Sequence, residues 1–283
     1  MLPTRSEEWI SLLQRLADHA DAVAMRHFRT PWLAVVRKRD GSPVTAADHE
    51  IEREIAALAR QSVPELGILG EEYGERPGSG MARLIVDPID ATLNFIRGDA
   101  VFATLLAIEV AGEVVAGLVS APALPGRWWA ARGAGAWREG NAIHVSGCDE
   151  LAACRLICGT PADHLVRSRY PGFEALVRVT RPNREVGDFL QHLWVAEGRG
   201  EIAVDLELAA WDIAALQVIV EEAGGTATAL DGRRTLHGGA LVTSNGRVHD
   251  EVLAFLAASP APALHGGRAV AANPFIASSL RDL

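Results

Sequence analysis

Basic runs, membrane-length apolar tracts and a paired set of cysteines are all missing from this chain, and each absence narrows what it can be. Lys and Arg total 27 against 36 Asp and Glu, a net charge of -9. The densest basic stretch, Arg37-Lys38-Arg39, is too short for an electrostatic footprint on nucleic acid. The longest apolar tract, Val101 to Leu124, is interrupted by Glu109 and Glu113 and cannot span a bilayer. The first eight residues, Met1 to Glu8, carry no apolar signal core, so a cytoplasmic protein is expected. Cys148, Cys154 and Cys158 are odd in number and lack a zinc-finger spacing with histidine; they read as buried free thiols in a reducing compartment.

What is present is a chain of 283 residues, 49% hydrophobic and 22% charged, which is globular in composition and long enough to bury a large core. Ser6 to Phe28 repeats Trp9, Leu12, Leu13, Leu16, Ala20, Val23 and Ala24 at helical spacing. Thr45 is placed to cap a second helix running to about Ser62, with Ile51, Ile55 and Leu58 on one face. Val101 to Val110 and Glu113 to Val119, joined by Ala111-Gly112, read as a hairpin. Further on, Gly187 to Gly198, Trp211 to Ala223 and Val248 to Ala258 read as helices, and Glu201 to Asp205, Thr226 to Ala229 and Ala240 to Thr243 as strands. Leu151 to Arg184 shows no clear period. Helices and strands interleave without an evident linker, which predicts sheet and helix layers in one body, an α/β (α+β) fold. That body is expected over residues 1–258, in two packed halves of about 1–145 and 146–258, with an Ala/Pro-rich tail over 259–283.

The most informative stretch is Leu84-Ile-Val-Asp-Pro-Ile-Asp-Ala-Thr-Leu-Asn-Phe95, preceded by Gly70-Glu71-Glu72. Leu84 to Val86 has the make-up of a short buried strand delivering Asp87 and Asp90 to its end. Pro88 has no amide hydrogen, so the ladder is expected to stop there. Thr92 to Phe95 can open a helical turn whose amides point back at the acids. Two carboxylates at a strand end beside a helix N-terminus suit hard cations holding a phosphate. Asp212 falls in the first turn of the apolar helix from Trp211, and Asp48 about one turn inside the second helix.

Taken together, Pro43-Val44-Thr45-x-x-Asp48, Gly70-Glu71-Glu72, Asp87-Pro88-Ile89-Asp90-x-Thr92 and Trp211-Asp212-x-Ala214-Ala215 resemble the inositol-monophosphatase-like family of magnesium-dependent phosphatases, in order and in spacing, over roughly residues 5–258. Phrases such as Arg39-Asp40-Gly41-Ser42-Pro43, Ser120-Ala121-Pro122 and Gly187-Asp188-Phe189 look more like the histidinol-phosphate phosphatase branch than the inositol branch. The resemblance implies an αβαβα sandwich, a homodimer, and two or three Mg2+ ions. It implies metal ligands at Glu71, Asp87, the Ile89 carbonyl, Asp90 and Asp212, with Asp87 bridging two ions. Asp48 and Thr92 would orient the attacking water, and Glu71 would assist through a third ion. The phosphate would meet the amides of Ala91 and Thr92 beside Asp90 and Asp212. Asp188 and Asp205 would meet the organic part of the substrate, a small-molecule phosphate ester.

The chain departs from the family at Ala91, where Gly is usual. We expect Ala91 in ordinary helical φ, because amides that bind phosphate at a helix start usually come from helical residues. A catalytically silent member is the alternative that this residue raises, and inositol 1-phosphate or another sugar-alcohol phosphate is the alternative substrate. Substrates with two phosphates are less favoured, since only Arg97 and Arg184 could receive the second one. His144, His192 and His237 have no partner spacing and read as structural, and the seven tryptophans as packing.

Overall fold

The structure, a computed structural model, describes residues 6–124, 126–158, 170–181 and 186–257. The expected tail from Ser259 and the side chain of Arg184 lie outside these residues.

Helix α1 (Ser6–His27) buries the apolar seam that its spacing predicts. A short hairpin of β1 (Val35–Arg37) and β2 (Pro43–Thr45) then leads into α2 (Ala46–Ser62). Thr45 caps α2 as expected. Its hydroxyl accepts from the Ala47 amide at 3.1 Å, while its own amide donates to Asp48 Oδ2 at 2.8 Å, satisfying donors that the helix start would leave unpaired.

Eight strands form the large sheet: β3 (Gly67–Gly70), β4 (Gly74–Arg76), β5 (Ala82–Asp90), β6 (Ala103–Val110), β7 (Glu113–Ala121), β8 (Gly126–Ala131), β9 (Ala136–Arg138) and β10 (Asn141–Ile143). Their order is β10-β9-β8-β7-β6-β5-β3-β4, antiparallel throughout except for the parallel β3–β5 pair. The β6–β7 turn falls at Ala111-Gly112, both at positive φ (53° and 86°), which matches the twist of a tight hairpin.

One expectation needs correcting. The ladder does not end at Pro88; β5 runs on to Asp90. Asp87 pairs with Leu105, and the next pairing is Asp90 with Ala103, three residues on β5 against two on β6. The extra residue is a bulge at Pro88-Ile89, which absorbs the missing amide hydrogen without stopping the strand. The Pro88 carbonyl takes the Thr104 hydroxyl at 2.7 Å instead.

Beyond β10 the chain builds a second sheet, with β11 (Leu156–Ile157), β12 (Ile202–Leu206), β13 (Thr226–Thr228) and β14 (Ala240–Ser244) in the order β11-β12-β14-β13. The helices are α3 (Thr92–Arg97), α4 (Pro171–Val179), α5 (Asp188–Ala196), α6 (Ala210–Glu222) and α7 (His249–Ala257). Packing sorts these elements into five layers. On the outer face of the large sheet, Leu13, Ile51 and Ile55 of α1 and α2 pack with Leu84, Leu106 and Leu118. Between the sheets, Phe189, Leu193, Ile213 and Val218 of α5 and α6 meet Leu105, Val119 and Trp128. On the far side of the small sheet, Phe173, Leu176 and Val252 of α4 and α7 close over Ile202, Val204 and Val242. The result is the αβαβα order that the resemblance implies. Helix α6 is apolar on every side because it is covered on every side. Gly117 of β7 admits it closely: a Cβ there would stand 2.6 Å from Val218 Cγ1 and 3.0 Å from Ala215 Cα.

Candidate active site

The bulge in β5 decides where the acids go. Asp87, before it, is 2% exposed; Asp90, after it, faces a cleft of about 580 Å³. Asp212 arrives from the first turn of α6, where the Ala209 amide donates to its Oδ2 at 2.6 Å. Oxygens of Asp87, Asp90 and Asp212 lie within 4.8 Å of one another. Burial pushes the Asp87 carboxyl well above the carboxylate range, and the nearby charge of Glu71 adds to it. Asp90 is raised by burial and then by Asp188. Burial moves Asp212 up to about 6, with a further push from Glu71. Asp87 Oδ1 is buried without a hydrogen-bond partner. Three crowded carboxylates, one of them with an unsatisfied oxygen, can bind a metal ion, and an all-oxygen donor set suits a hard divalent cation.

Glu71 adjoins this triad without joining it. Lys38, on the loop between β1 and β2, donates to Glu71 Oε1 at 2.7 Å and to Glu72 Oε1 at 2.6 Å. Burial works against the ammonium, but the two carboxylates outweigh it and raise its pKa. The turn that carries Glu71 is fixed from below by Glu52 of α2, which is fully buried and accepts the amides of Glu72 at 2.7 Å and Tyr73 at 3.2 Å. Gly70 is required here, because a Cβ would fall on the Glu52 carboxylate.

Asp48 and Thr92 each have partners of their own. Thr92 donates to the Ile89 carbonyl at 2.9 Å. Asp48 Oδ2 accepts both the amide and the hydroxyl of Thr45, at 2.8 and 2.6 Å, while its Oδ1 is buried and unpartnered. Burial raises Asp48 to about 7. Ile89 is buried as a side chain, so only its carbonyl is available as a ligand.

The expectation for Ala91 is wrong. It has φ 63° and ψ 46° and stands just before α3 in the left-handed region. The bulged strand must reverse into α3 within one residue, and a left-handed residue makes that turn. An L-residue with a Cβ costs roughly 1–2 kcal/mol there, which is why Gly suits the position.

Seven of the expected residues line the cleft: Glu71, Asp90, Ala91, Thr92, Asp188, Asp205 and Asp212. Asp188 opens α5 at φ 54° and accepts from Asn94 Nδ2 at 3.2 Å. The next amide, Phe189, donates to Asp90 Oδ2 at 3.0 Å. Asp205, buried on β12 at the cleft wall, accepts from Gln191 Nε2 at 3.0 Å. His192, read as structural, does reach the cleft wall. It is 1% exposed, and burial holds it neutral by lowering its pKa to about 3. Sequence reasoning missed Lys38, Glu52, Asn94 and Gln191. Only Glu52 left a signal, standing four residues after Asp48 on one helix face.

The sequence profile described as the inositol monophosphatase family matches residues 5–260. The chain is 40% identical over 256 residues to a histidinol-phosphatase of Streptomyces coelicolor, covering 87% of this chain and 96% of that protein. It is 41% identical over 257 residues to the histidinol-phosphatase of Mycobacterium tuberculosis, covering 88% and 97%. Among solved structures, the extragenic suppressor protein suhB of Bartonella henselae superposes with a TM-score of 0.81 at 27% identity, covering 88% of this chain and 98% of that one.

Proposed function

The chain belongs to the inositol monophosphatase family and is a phosphoric monoester hydrolase, and we propose that it uses magnesium to hydrolyse histidinol phosphate to histidinol, as a cytoplasmic homodimer whose residues 1–258 form one catalytic unit. Asp87, Asp90, Asp212, Glu71 and the Ile89 carbonyl would hold two or three Mg2+ ions. Bound there, magnesium supplies Lewis-acid polarisation of the phosphate and activation of water.

The chain's own groups do the remaining work. The Ala91 and Thr92 amides at the start of α3 orient the phosphate. The Thr92 hydroxyl, donating to Ile89, keeps its lone pairs for a proton of the attacking water. Asp48 is suited to take that proton: its Oδ1 has no partner and its pKa of about 7 is matched to a base working near neutrality. Water adds to phosphorus as the ester P–O bond breaks, and the departing alkoxide takes a proton from solvent water, while Asp48 returns the proton it took to solvent. No covalent enzyme intermediate is needed.

Asp188 and Asp205 stand on the cleft wall, beyond the metal triad, where the organic part of the substrate would lie. Histidinol carries an ammonium and an imidazole, and carboxylates pair with such cations in charge-assisted hydrogen bonds. The observation that carries the choice of histidinol phosphate is the likeness to two histidinol-phosphatases at about 40% identity. The second reading, inositol 1-phosphate, is supported by the same acids acting as acceptors for hydroxyls. Rates on histidinol phosphate and inositol 1-phosphate, with magnesium and after chelation, test the proposal. A higher kcat/KM for histidinol phosphate that vanishes on chelation is expected. Preference for inositol 1-phosphate would overturn the substrate, and full activity without metal would overturn the mechanism.

A further inference from the structure

Asp205 is held from behind by a chain of buried groups that does not belong to the metal site. Leu206 N donates to its Oδ1 at 2.8 Å, and Gln191 Nε2 donates to its Oδ2 at 3.0 Å. Gln191 Nε2 also lies 3.5 Å from His192 Nε2, and His192 Nδ1 lies 2.8 Å from the Thr243 hydroxyl. Gln191, His192 and Thr243 are 2%, 1% and 0% exposed. The direction of each bond follows from chemistry. A carboxylate only accepts, so the Gln191 atom facing it must be the amide nitrogen. That nitrogen only donates, so the imidazole Nε2 facing it must accept. His192 then carries its proton on Nδ1 and gives it to Thr243 Oγ1. Donation therefore runs outward from α5, through Gln191 to Asp205 on β12 and through His192 to Thr243 on β14. Buried networks satisfied in this way rigidify their members.

We infer that Gln191 is a positioning residue that fixes the Asp205 carboxylate toward the leaving group and thereby sets the preference for a cationic over a neutral alcohol. The inference rests on the proposed contact between Asp205 and the organic part of the substrate. The neighbouring Leu206 amide holds Oδ1 and Gln191 holds Oδ2, so the bond from Gln191 helps to fix the plane of the carboxylate. A cation bound by one carboxylate depends on where the two oxygens point, because the charge-assisted bond is short and directional. Neutral hydroxyls, with weaker and more adaptable bonds, depend on it less. Helix α5 also carries the Phe189 amide on Asp90, so one rigid element registers the leaving-group acid against a metal-triad acid. A carboxylate accepts from more than two donors, so being held in place is compatible with contacting substrate.

The test uses Gln191→Met, which keeps the length and removes both hydrogen bonds, with Gln191→Asn as the second variant if Met is not tolerated. Asn keeps an amide but is one methylene too short to reach Asp205. Kinetics on histidinol phosphate and inositol 1-phosphate are measured with Asp205→Asn alongside, and folding is checked by thermal melting. For either Gln191 variant, KM for histidinol phosphate should rise about tenfold, the size of a lost bond to a charged group, with kcat changed less than about threefold. KM for inositol 1-phosphate should move by less than about threefold, so the selectivity ratio collapses. If Asp205→Asn raises KM for histidinol phosphate and neither folded Gln191 variant shifts the ratio, the inference is overturned while the substrate reading stands. If Asp205→Asn leaves both KM values unchanged, the leaving-group contact itself fails, and the inference fails with it. A parallel loss in kcat and in both substrates would assign Gln191 a merely structural role and also overturn it.

Discussion

Replacing Asp87 by Asn should abolish turnover and, at the same time, stabilise the metal-free protein. Asp87 is 2% exposed, with one oxygen unpartnered and oxygens of Asp90 and Asp212 within 4.8 Å. Two full charges at that separation repel by about 3 kcal/mol at an effective dielectric of 20. The acids shed part of this by holding protons, since burial raises all three and repulsion within the triad adds to it at Asp87 and Asp90. Removing one charge should therefore return about 1–3 kcal/mol, and the side-chain amide introduced at position 87 can donate to the Asp212 carboxylate it faces. A gain of about 2 kcal/mol corresponds to a rise of roughly 4–8 °C in Tm for a chain of this size class. Magnesium binding also stabilises the wild type, by about 2.7 kcal/mol at a hundredfold excess over Kd, and the variant should lose most of that increment. The assay is thermal melting of both proteins in chelator and in magnesium, with phosphate release measured on the same samples. A lower Tm for Asp87→Asn in chelator, an undiminished magnesium increment, or activity within about tenfold of wild type would each refute the reasoning.

Three other outcomes are expected. Lys38→Met should lower the magnesium concentration giving half-maximal activity by about threefold, because the ammonium now occupies Glu71 Oε1 and competes with a cation for it; a higher requirement would contradict this. The stabilisation by magnesium should grow as pH rises from about 5.5 to 8. Asp212 at about 6 and Asp48 at about 7 stand above their ordinary value, so the metal-free native state holds protons that the unfolded chain has lost, its stability falls through that window, and the metal displaces those protons. Melting pairs with and without magnesium across the range check the sign, and an increment that shrinks with pH would refute it. Ala91→Gly should raise stability by about 0.5–1 kcal/mol, the left-handed cost relieved less the extra freedom gained by the unfolded chain, with turnover equal or higher; a lower Tm by calorimetry would count against the observed backbone.

The parts of the fold that were legible share one property: the side chains that define them act locally. The α1 seam, the Thr45 cap and the Ala111-Gly112 turn are each set by residues within one or two turns of one another, and the structure follows them closely. Helix α4 and strand β11 were not legible. Their burial depends on α7 and β12, elements distant in sequence, so nothing in the local spacing marks them. The acids of the site divide in the same way. Asp87 and Asp90 could be found because two carboxylates ending an apolar run are conspicuous, and Asp212 because the segment around it resembles a family motif. Glu52, Gln191 and Lys38 could not, because each acts on a partner brought to it by the tertiary fold: Glu52 on the amides of the turn after Gly70, Gln191 on Asp205 and Lys38 on Glu71.

The two local errors, at Pro88 and at Ala91, have a common origin in treating strand, turn and helix as separate units. Read alone, Pro88 ends a ladder and Ala91 begins a helix. In the structure the bulge lets β5 continue past the proline to Asp90, so the change of direction has to be made in the single residue before Thr92. That places Ala91 at φ 63°, since no other residue is left to turn the chain. The bulge and the left-handed residue are therefore one device. The bulge separates Asp87, buried under the site, from Asp90 on the cleft wall, and the left-handed turn starts α3 directly after them. A chain that carries Ala at this turn keeps the geometry at a cost of order 1 kcal/mol, small against the stability of a protein this size, which is why the site survives the departure from Gly with its acids in place.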